Sequence, residues 1–196
     1  MNPAHLDLCG SVEWSAHLRD DILTPLLKDV NLGSRMLELG PGPGAATDFL
    51  RSRVESLTAL ELDPVAAREL ETKYAGSNVT VLIGDCVRPD IEDGSFDSIG
   101  AFTMLHHIAT PALQRDVLVE AFRILKPGGV FVGSDSMASN ELHHFHADDT
   151  YNPVDPGWLL IQLQTIGFRP ISLTLGEELS FVAYRPEVDS TEAPQA

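Results

Sequence analysis

Residues 36–44 read Met36-Leu-Glu-Leu-Gly-Pro-Gly-Pro-Gly44, a short apolar segment that leads into glycine at every second position. Glycines 40, 42 and 44 carry no Cβ, so the backbone can turn tightly there and approach a ligand closely. Such a turn between a strand and a helix is typical of a nucleotide or dinucleotide site at the carboxyl edge of a parallel sheet. Glu38 places a carboxylate beside this turn, and a carboxylate repels phosphate but attracts an amino group. The stretch therefore predicts a nucleoside ligand with a positively charged end.

Two further predicted strands also end in an acid. The segment Ser56-Leu-Thr-Ala-Leu-Glu61 places Glu61 where nucleotide folds carry a ribose-binding acid, about 20 residues beyond the glycine loop. The segment Val79-Thr-Val-Leu-Ile-Gly-Asp85 ends in the same way. Three consecutive strands that each end in a carboxylate would line one edge of the sheet, where open α/β sheets bind their ligands.

Turn and cap residues divide the rest of the chain into helices and strands. Three predicted helices begin with a capping residue followed by proline, near 64–74, 111–125 and 156–166; Lys126-Pro-Gly-Gly129 ends the second and Gly167 the third. Alternation of these helices with strands predicts a parallel sheet. The last two strands are joined by Gly176-Glu-Glu178, short enough for a hairpin, so the last strand should be antiparallel. The predicted strands lie near 35–39, 56–61, 79–83, 97–102, 130–134, 169–175 and 179–185.

The N-terminal 30 residues carry an amphipathic pattern. Large apolar residues recur every four positions, and Thr24-Pro25 either bends this helix or begins a second one. The residues in this pattern are Trp14, Leu18, Ile22, Leu26 and Val30.

Composition narrows the class of protein. A chain of 196 residues with 43% hydrophobic residues can bury a full α/β core, which predicts one domain over residues 1–185 and a flexible acidic tail over 186–196. The net charge of −16 argues against a nucleic-acid partner. Two cysteines without metal or disulfide spacing, no secretory signal and no membrane-length apolar run predict a cytoplasmic protein with no membrane contact. The sequence does not indicate an oligomeric state.

Five sequence motifs occur in the order that one enzyme family uses. They are Glu38–Gly44, Ala59-Leu-Glu-Leu-Asp63, Gly84-Asp85-Cys86, Phe96-Asp97-Ser-Ile-Gly-Ala-Phe with Leu105-His106-His107, and Arg123–Phe131. In these motifs, over residues 30–185, the chain resembles the class I S-adenosylmethionine-dependent methyltransferases that act on small molecules, such as those of quinone biosynthesis. The resemblance implies a Rossmann-like three-layer α/β sandwich with a mostly parallel seven-stranded sheet and an antiparallel last strand. It also implies S-adenosylmethionine as cofactor and in-line transfer of its methyl group to a small-molecule acceptor.

The same resemblance assigns roles to individual residues. Glu38 would hold the amino end of the cofactor, Glu61 both ribose hydroxyls and Asp85 the adenine amino group. The glycine loop would pass the methionine part, Leu62 and Cys86 would flank the adenine ring, and the backbone of Phe102 and Thr103 would pass close by. The full predicted cofactor set is Glu38, Gly40, Gly42, Gly44, Glu61, Leu62, Asp85, Cys86, Phe102 and Thr103.

Two histidine clusters are candidates for the acceptor end. His106 or His107 could act as a general base, although packing against the cofactor is the simpler role. In the second cluster, His144, His146 and Asp148 are metal-type ligands that would share a face on an extended strand. No helical ligand pair or cysteine fixes their geometry, so we predict a substrate-recognition segment and no metal. The N-terminal helix with Trp14 and the 137–155 segment with His144 and His146 would form a lid over the substrate.

Three alternatives stay open at this level. Gly40-x-Gly42-x-x-Ala45 also satisfies the dinucleotide fingerprint of a nicotinamide oxidoreductase, although Glu38, Asp85 and the predicted antiparallel hairpin argue against it. An aminopropyltransferase uses a decarboxylated relative of the same cofactor on this fold, and would need several acids around a polyamine. A binding or regulatory protein could retain the cofactor site without turnover.

Overall fold

The computed structural model describes residues 7–147 and 149–187, and these contain one seven-stranded sheet. The strand order is β3-β2-β1-β4-β5-β7-β6. Strands β1 to β5 run parallel, whereas β7 is antiparallel to both of its neighbours, which confirms the predicted topology. The strands are β1 Arg35–Leu39, β2 Ser56–Glu61, β3 Val79–Ile83, β4 Phe96–Phe102, β5 Leu125–Ser136, β6 Ile171–Leu175 and β7 Glu178–Tyr184.

Helices connect the strands and begin at the predicted caps. The side chains of Asp63, Thr110 and Asp155 each accept a backbone N–H from the first turn that follows, and a proline occupies that turn in every case. The helices are α1 Val12–His17, α2 Thr24–Leu26, α3 Ala45–Leu50, α4 Pro64–Lys73, α5 Pro111–Ile124, α6 Asn140–Phe145 and α7 Pro156–Ile166.

Between α1 and α2 the chain forms a π-helical segment, Leu18–Leu23. The Thr24 N–H donates to the Arg19 carbonyl, five residues back, and this wider turn lies directly before Pro25, which has no N–H to donate. Of the two outcomes predicted at Thr24-Pro25, a bend or the start of a second helix, the structure shows a π-helical turn that leads directly into the short helix α2.

Two apolar clusters cover the two faces of the sheet. On one face, Leu18, Ile22 and Leu23 of the N-terminal segment pack with Met36 of β1 and Val132 of β5. The other face packs against α5 and α7, whose buried side chains contact a second set of strand residues. Alternate residues of β1, β4 and β5 contribute to opposite clusters, as expected for strands buried on both sides. The arrangement is the expected three-layer α/β sandwich.

Two segments differ from the sequence-based expectation. Strand β5 begins at Leu125 rather than near residue 130, because Leu125 pairs with Phe96 and the Gly128 N–H donates to the Arg185 carbonyl. The predicted loop 137–155 contains helix α6, which Ser139 caps by accepting the Leu142 N–H. Of the predicted tail 186–196, residues 188–196 lie outside the described residues. Within the described part of the chain, no helix has the length and apolar character needed to cross a bilayer.

Candidate active site

The glycine loop after β1 adopts left-handed backbone geometry at three positions. The φ angles are 62° at Gly40, 53° at Gly42 and 87° at Gly44, values that L-residues rarely adopt. A Cβ on Gly44 would lie 2.5 Å from the hydroxyl oxygen of Tyr74, which donates to the Gly44 carbonyl at 2.9 Å. Gly40 and Gly42 line the large cavity at the strand ends, whereas Gly44 lies against Tyr74.

Glu38, at the penultimate position of β1, is almost fully buried at the base of this cavity. Its side chain is 2% exposed, and its Oε2 accepts a 2.7 Å hydrogen bond from the Thr47 hydroxyl of α3. Burial raises the pKa of the Glu38 carboxyl to about 7, because desolvation disfavours the charged form more than the Thr47 hydrogen bond favours it. The group is thus poised to ionise when a cation approaches it.

The raised pKa of Glu38 makes stability depend on pH. Between pH 4.5 and about 7 the folded protein holds a proton at Glu38 that the unfolded chain has released, so this group stabilises the fold at low pH and that contribution is lost as the pH rises through 7. We expect wild type to lose on the order of 3 kcal/mol of unfolding free energy relative to Glu38→Gln between pH 4.5 and 8. Urea denaturation of both proteins at each pH measures this difference. If the unfolding free energies of wild type and Glu38→Gln changed with pH by the same amount, this prediction would be contradicted.

Glu61 ends β2 with its carboxylate directed at the neighbouring backbone. Its Oε2 accepts the Gly42 N–H at 3.3 Å and its Oε1 accepts the Asp63 N–H at 3.0 Å. The side chain therefore connects the glycine loop to the start of α4, and it lines the cavity.

Asp85 follows the end of β3, and its Oδ1 accepts the Val87 N–H at 2.9 Å, which fixes it in the turn after the strand. The predicted apolar neighbours Leu62 and Cys86 line the same cavity. Leu62 is 66% exposed, so a ligand there would cover apolar surface that is otherwise open to solvent. Burial raises the pKa of the Cys86 thiol to about 12, so it stays a neutral, soft apolar group.

The end of β4 lies beside the end of β1, in line with those of β2 and β3, and contributes the next part of the cavity wall. Phe102 and Thr103 line the cavity, and Thr103 has a left-handed φ of 50°, a strained value for a β-branched residue. Its N–H donates to the Ser134 carbonyl at 2.8 Å. Met104 also lines the cavity and lies under the glycine loop, where a Cβ on Gly40 would approach the Met104 Cβ to 3.2 Å.

These strand ends share a cavity of about 750 Å³, large enough for a nucleoside ligand. Of the predicted cofactor residues, all but Gly44 line it. The cavity extends from Glu61 and Asp85 past the glycine loop to Thr103 and His107.

His106 and His107 form a 3₁₀ turn, Leu105–His107, after β4. His106 is buried, and its Nδ1 lies 2.6 Å from Oδ1 of Asp135, whose other oxygen accepts the His106 backbone N–H. His107 lines the cavity, and its Nδ1 donates to the Thr150 carbonyl at 3.1 Å. Only His107 is thus placed in the cavity wall.

The predicted acceptor-side residues divide into three locations. Trp14 lines the cavity. His144 is exposed on α6, its Nδ1 bonded to the Asn140 carbonyl, whereas His146 is buried beside His106 and His107. His144 and His146 do not lie on an extended strand, because the segment is helical up to Phe145. Asp148, the third member of that set, lies outside the described residues.

Sequence reasoning missed Thr47, which bonds Glu38, and gave Asp135 no role beside His106. A polar residue at the start of the helix after a glycine loop is a usable signal for Thr47. The pairing of His106 with Asp135 joins two strand ends 29 residues apart, and no local pattern indicates it.

Comparison with known proteins identifies the domain. Residues 37–133 match the family model described as methyltransferase domain. An uncharacterised methyltransferase of Mycobacterium tuberculosis is 27% identical over 117 residues, which are 59% of this chain and 57% of that protein. A ribosomal RNA small subunit methyltransferase A of Acidobacterium capsulatum is 44% identical over 63 residues, 31% of this chain and 22% of its own. The chain therefore spans 57% of the length of the first of these curated relatives and 22% of the length of the second.

Among solved structures, a phosphoethanolamine N-methyltransferase 2 of Haemonchus contortus superposes with a TM-score of 0.74 at 15% identity. The match covers 95% of this chain and 59% of that one, which was solved with phosphomonomethylethanolamine and S-adenosylhomocysteine. At this identity the likeness shows the shared fold.

Proposed function

The chain belongs to the class I S-adenosylmethionine-dependent methyltransferases, and on that premise we propose that it transfers the methyl group of S-adenosylmethionine to a small-molecule acceptor. One observation carries the proposal. Three adjacent parallel strands place Glu38, Glu61 and Asp85 in the wall of a single 750 Å³ cavity, with the glycine loop between them. The ligand would lie across these strand ends, where sheets of this type bind ligands.

The residues fit the chemical groups of this cofactor. The Glu38 carboxyl, with its pKa near 7, would ionise against the cationic amino group and hold it. The Glu61 carboxylate suits a pair of ribose hydroxyls, and the Asp85 carboxylate can accept a hydrogen bond from an exocyclic amine. Leu62 and Cys86 offer apolar contacts to the adenine faces.

A pyrophosphate fits this wall poorly. The buried Glu38 carboxyl lies beside the loop where a dinucleotide would place its phosphates, and its charge would oppose them. This observation favours a sulfonium nucleoside over the nicotinamide cofactor of an oxidoreductase.

The bound cofactor supplies an electrophilic methyl group on a positively charged sulfur, so no acid is needed to expel the leaving group. The protein must align the acceptor with that methyl group, and such positioning can supply about 7–11 kcal/mol of barrier reduction. The strained Thr103 backbone and Met104 would fix the cofactor near the end of β4. His107 lies in the wall on that side, where an acceptor would bind.

Water would be excluded by the segments that border the cavity from outside the sheet. Trp14 of α1 and the Asp149–Thr150 pair after α6 line the cavity, which supports our proposal that residues 1–30 and 137–155 form a lid on the single domain of residues 1–185.

The net charge of the chain is our reason for proposing a small molecule rather than RNA as the methyl acceptor. A net charge of −16 opposes the approach of an RNA backbone and is compatible with a small molecule. An RNA acceptor is the second candidate, because one relative of 44% identity is named a ribosomal RNA methyltransferase; that match covers only 22% of the relative. We further propose a reducing, cytoplasmic setting, supported by the free thiols of Cys9 and Cys86.

Calorimetry and turnover test the function together. We expect S-adenosylhomocysteine to bind with one-to-one stoichiometry and to raise the thermal midpoint, whereas NAD produces no shift; a ligand at 100 times its dissociation constant stabilises by about 2.7 kcal/mol. Labelled S-adenosylmethionine should then transfer its methyl group to a component of a small-metabolite extract and not to total RNA. Binding of NAD alone would overturn the proposal. Cofactor binding without transfer to either pool would favour a regulatory protein, and transfer to RNA would favour the second candidate.

A further inference from the structure

Three histidines from two distant segments meet behind the acceptor end of the cavity. His106 and His107 lie in the turn after β4, and His146 follows α6. One ring nitrogen from each lies within 4.8 Å of the other two. His106 and His146 are each only 4% exposed, so the cluster is largely shielded from solvent.

Hydrogen bonds fix the orientation of all three rings. The Nδ1 atom lies 2.6 Å from Asp135 Oδ1 in His106, 3.1 Å from the Thr150 carbonyl oxygen in His107 and 2.7 Å from the Leu142 carbonyl oxygen in His146. Because a carbonyl oxygen can only accept, Nδ1 carries the hydrogen in His107 and His146, and the lone pair is on Nε2. A carboxylate behind His106 favours the same tautomer.

This pattern is the one that metal-binding histidines show. A ligating imidazole almost always donates its second N–H to a carboxylate or a backbone carbonyl, which orients the ring and raises its basicity. All three rings satisfy that condition, and all three ε nitrogens are buried. A purely structural cluster would need neither the shared orientation nor the meeting of three ring nitrogens.

We propose that His106, His107 and His146 bind one divalent transition-metal ion, with Asp135 as a positioning residue behind His106. Imidazole ligands suit Zn²⁺, Fe²⁺, Co²⁺, Ni²⁺ and Cu²⁺, and three ligands from the described part of the chain would leave a further coordination position for an acceptor, as in catalytic zinc sites. Zinc–nitrogen bonds of 2.0–2.1 Å place the nitrogens about 3.3 Å apart, so the rings close by up to roughly 1.5 Å when the ion binds.

The place of the site indicates its use. His107 also lines the cavity, so the ion would lie at its wall beside the β4 end, away from Glu61 and Asp85 at the β2 and β3 ends. An acceptor with an oxygen donor could bind the open position, which would lower the pKa of its hydroxyl. This consequence for the acceptor rests on the proposed function, whereas metal binding itself does not.

Cobalt binding tests the site in the full, untagged chain. After treatment with a chelator, wild type should bind one equivalent of Co²⁺ and develop the visible absorption bands of a nitrogen-coordinated ion, which one equivalent of Zn²⁺ removes. His106→Ala and His146→Ala should lose both the bands and the stoichiometric binding. His143→Ala is the matched control, since His143 is exposed on α6, three residues from His146, and this variant should bind as wild type does. Asp135→Asn should weaken affinity by about 10- to 100-fold.

Folding is checked separately by circular dichroism and by calorimetry with S-adenosylhomocysteine. If either His106→Ala or His146→Ala does not fold, His146→Gln is measured instead. It should lose both the visible bands and the stoichiometric binding of Co²⁺. Wild-type protein that binds no Co²⁺, or a folded His146→Gln that binds it as wild type does, overturns the metal site. Loss of Co²⁺ binding in His143→Ala would likewise contradict the assigned ligands. Metal binding without cofactor binding would refute the proposed function alone, and cofactor binding without metal would refute the metal site alone.

Discussion

Gly42→Val is expected to lower the affinity for S-adenosylhomocysteine by about 10- to 100-fold while the chain still folds, since overpacking costs about 1–3 kcal/mol and each 1.4 kcal/mol is a factor of ten. Gly42 lines the cavity with a φ of 53°, so valine would bring both left-handed strain and side-chain bulk to the ligand wall. Its N–H also donates to Glu61, and a shift of the loop would disturb that acid as well. Isothermal calorimetry measures the loss.

Gly76→Val is the matched control for this substitution. Gly76 has a φ of 75°, and a Cβ there would meet no atom within 4 Å. Valine at position 76 therefore introduces the same left-handed backbone strain without adding bulk to the cavity wall. We expect Gly76→Val to lower the thermal midpoint and leave affinity unchanged. Normal binding by Gly42→Val would show that the loop does not approach the ligand.

Glu61→Ala should weaken S-adenosylhomocysteine binding by on the order of 1.5–3 kcal/mol, about 10- to 100-fold, because charge-assisted hydrogen bonds to the ribose are lost. The Glu61 carboxylate also holds two backbone N–H groups, so a loss of affinity alone would not separate a ligand contact from a loosened loop.

A 2′-deoxy analogue of the ligand separates these two causes. If Glu61 binds the ribose, removing the hydroxyl weakens binding to wild type but not to Glu61→Ala. The effects of the mutation and of the analogue are then not additive. Glu71→Ala, an exposed change on α4, is the control and should bind as wild type does. If the analogue weakened binding equally in both proteins, Glu61 would not contact the ribose, and its role would be to hold the backbone of the glycine loop.

The parts of this structure that local pattern dictates were predictable. The apolar strand before Gly40 and the proline-marked helix starts at Asp63, Thr110 and Asp155 lie where the sequence places them, because propensity, capping and apolar periodicity act over a few residues. The antiparallel β7 followed from the short turn before it. The acids at the strand ends are brought to one edge by the parallel order itself.

The remaining features depend on contacts that no local pattern carries. The raised pKa of Glu38 results from burial under α3, and the start of β5 at Leu125 from pairing with Phe96. His146 meets His106 only because the chain returns after α6 to the end of β4, 40 positions away. A histidine-rich segment indicated metal-type ligands, but the partners that the structure supplies are His106 and His107 rather than His144.

A crystal structure of the protein with S-adenosylhomocysteine tests the central claim most directly. We predict that the nucleoside spans the ends of β1, β2 and β3, with its amino group against Glu38, both ribose hydroxyls within hydrogen-bonding distance of the Glu61 carboxylate and its adenine beside Asp85. A nucleoside bound elsewhere, or one in this cavity with those three carboxyl groups directed away from it, would contradict the claim.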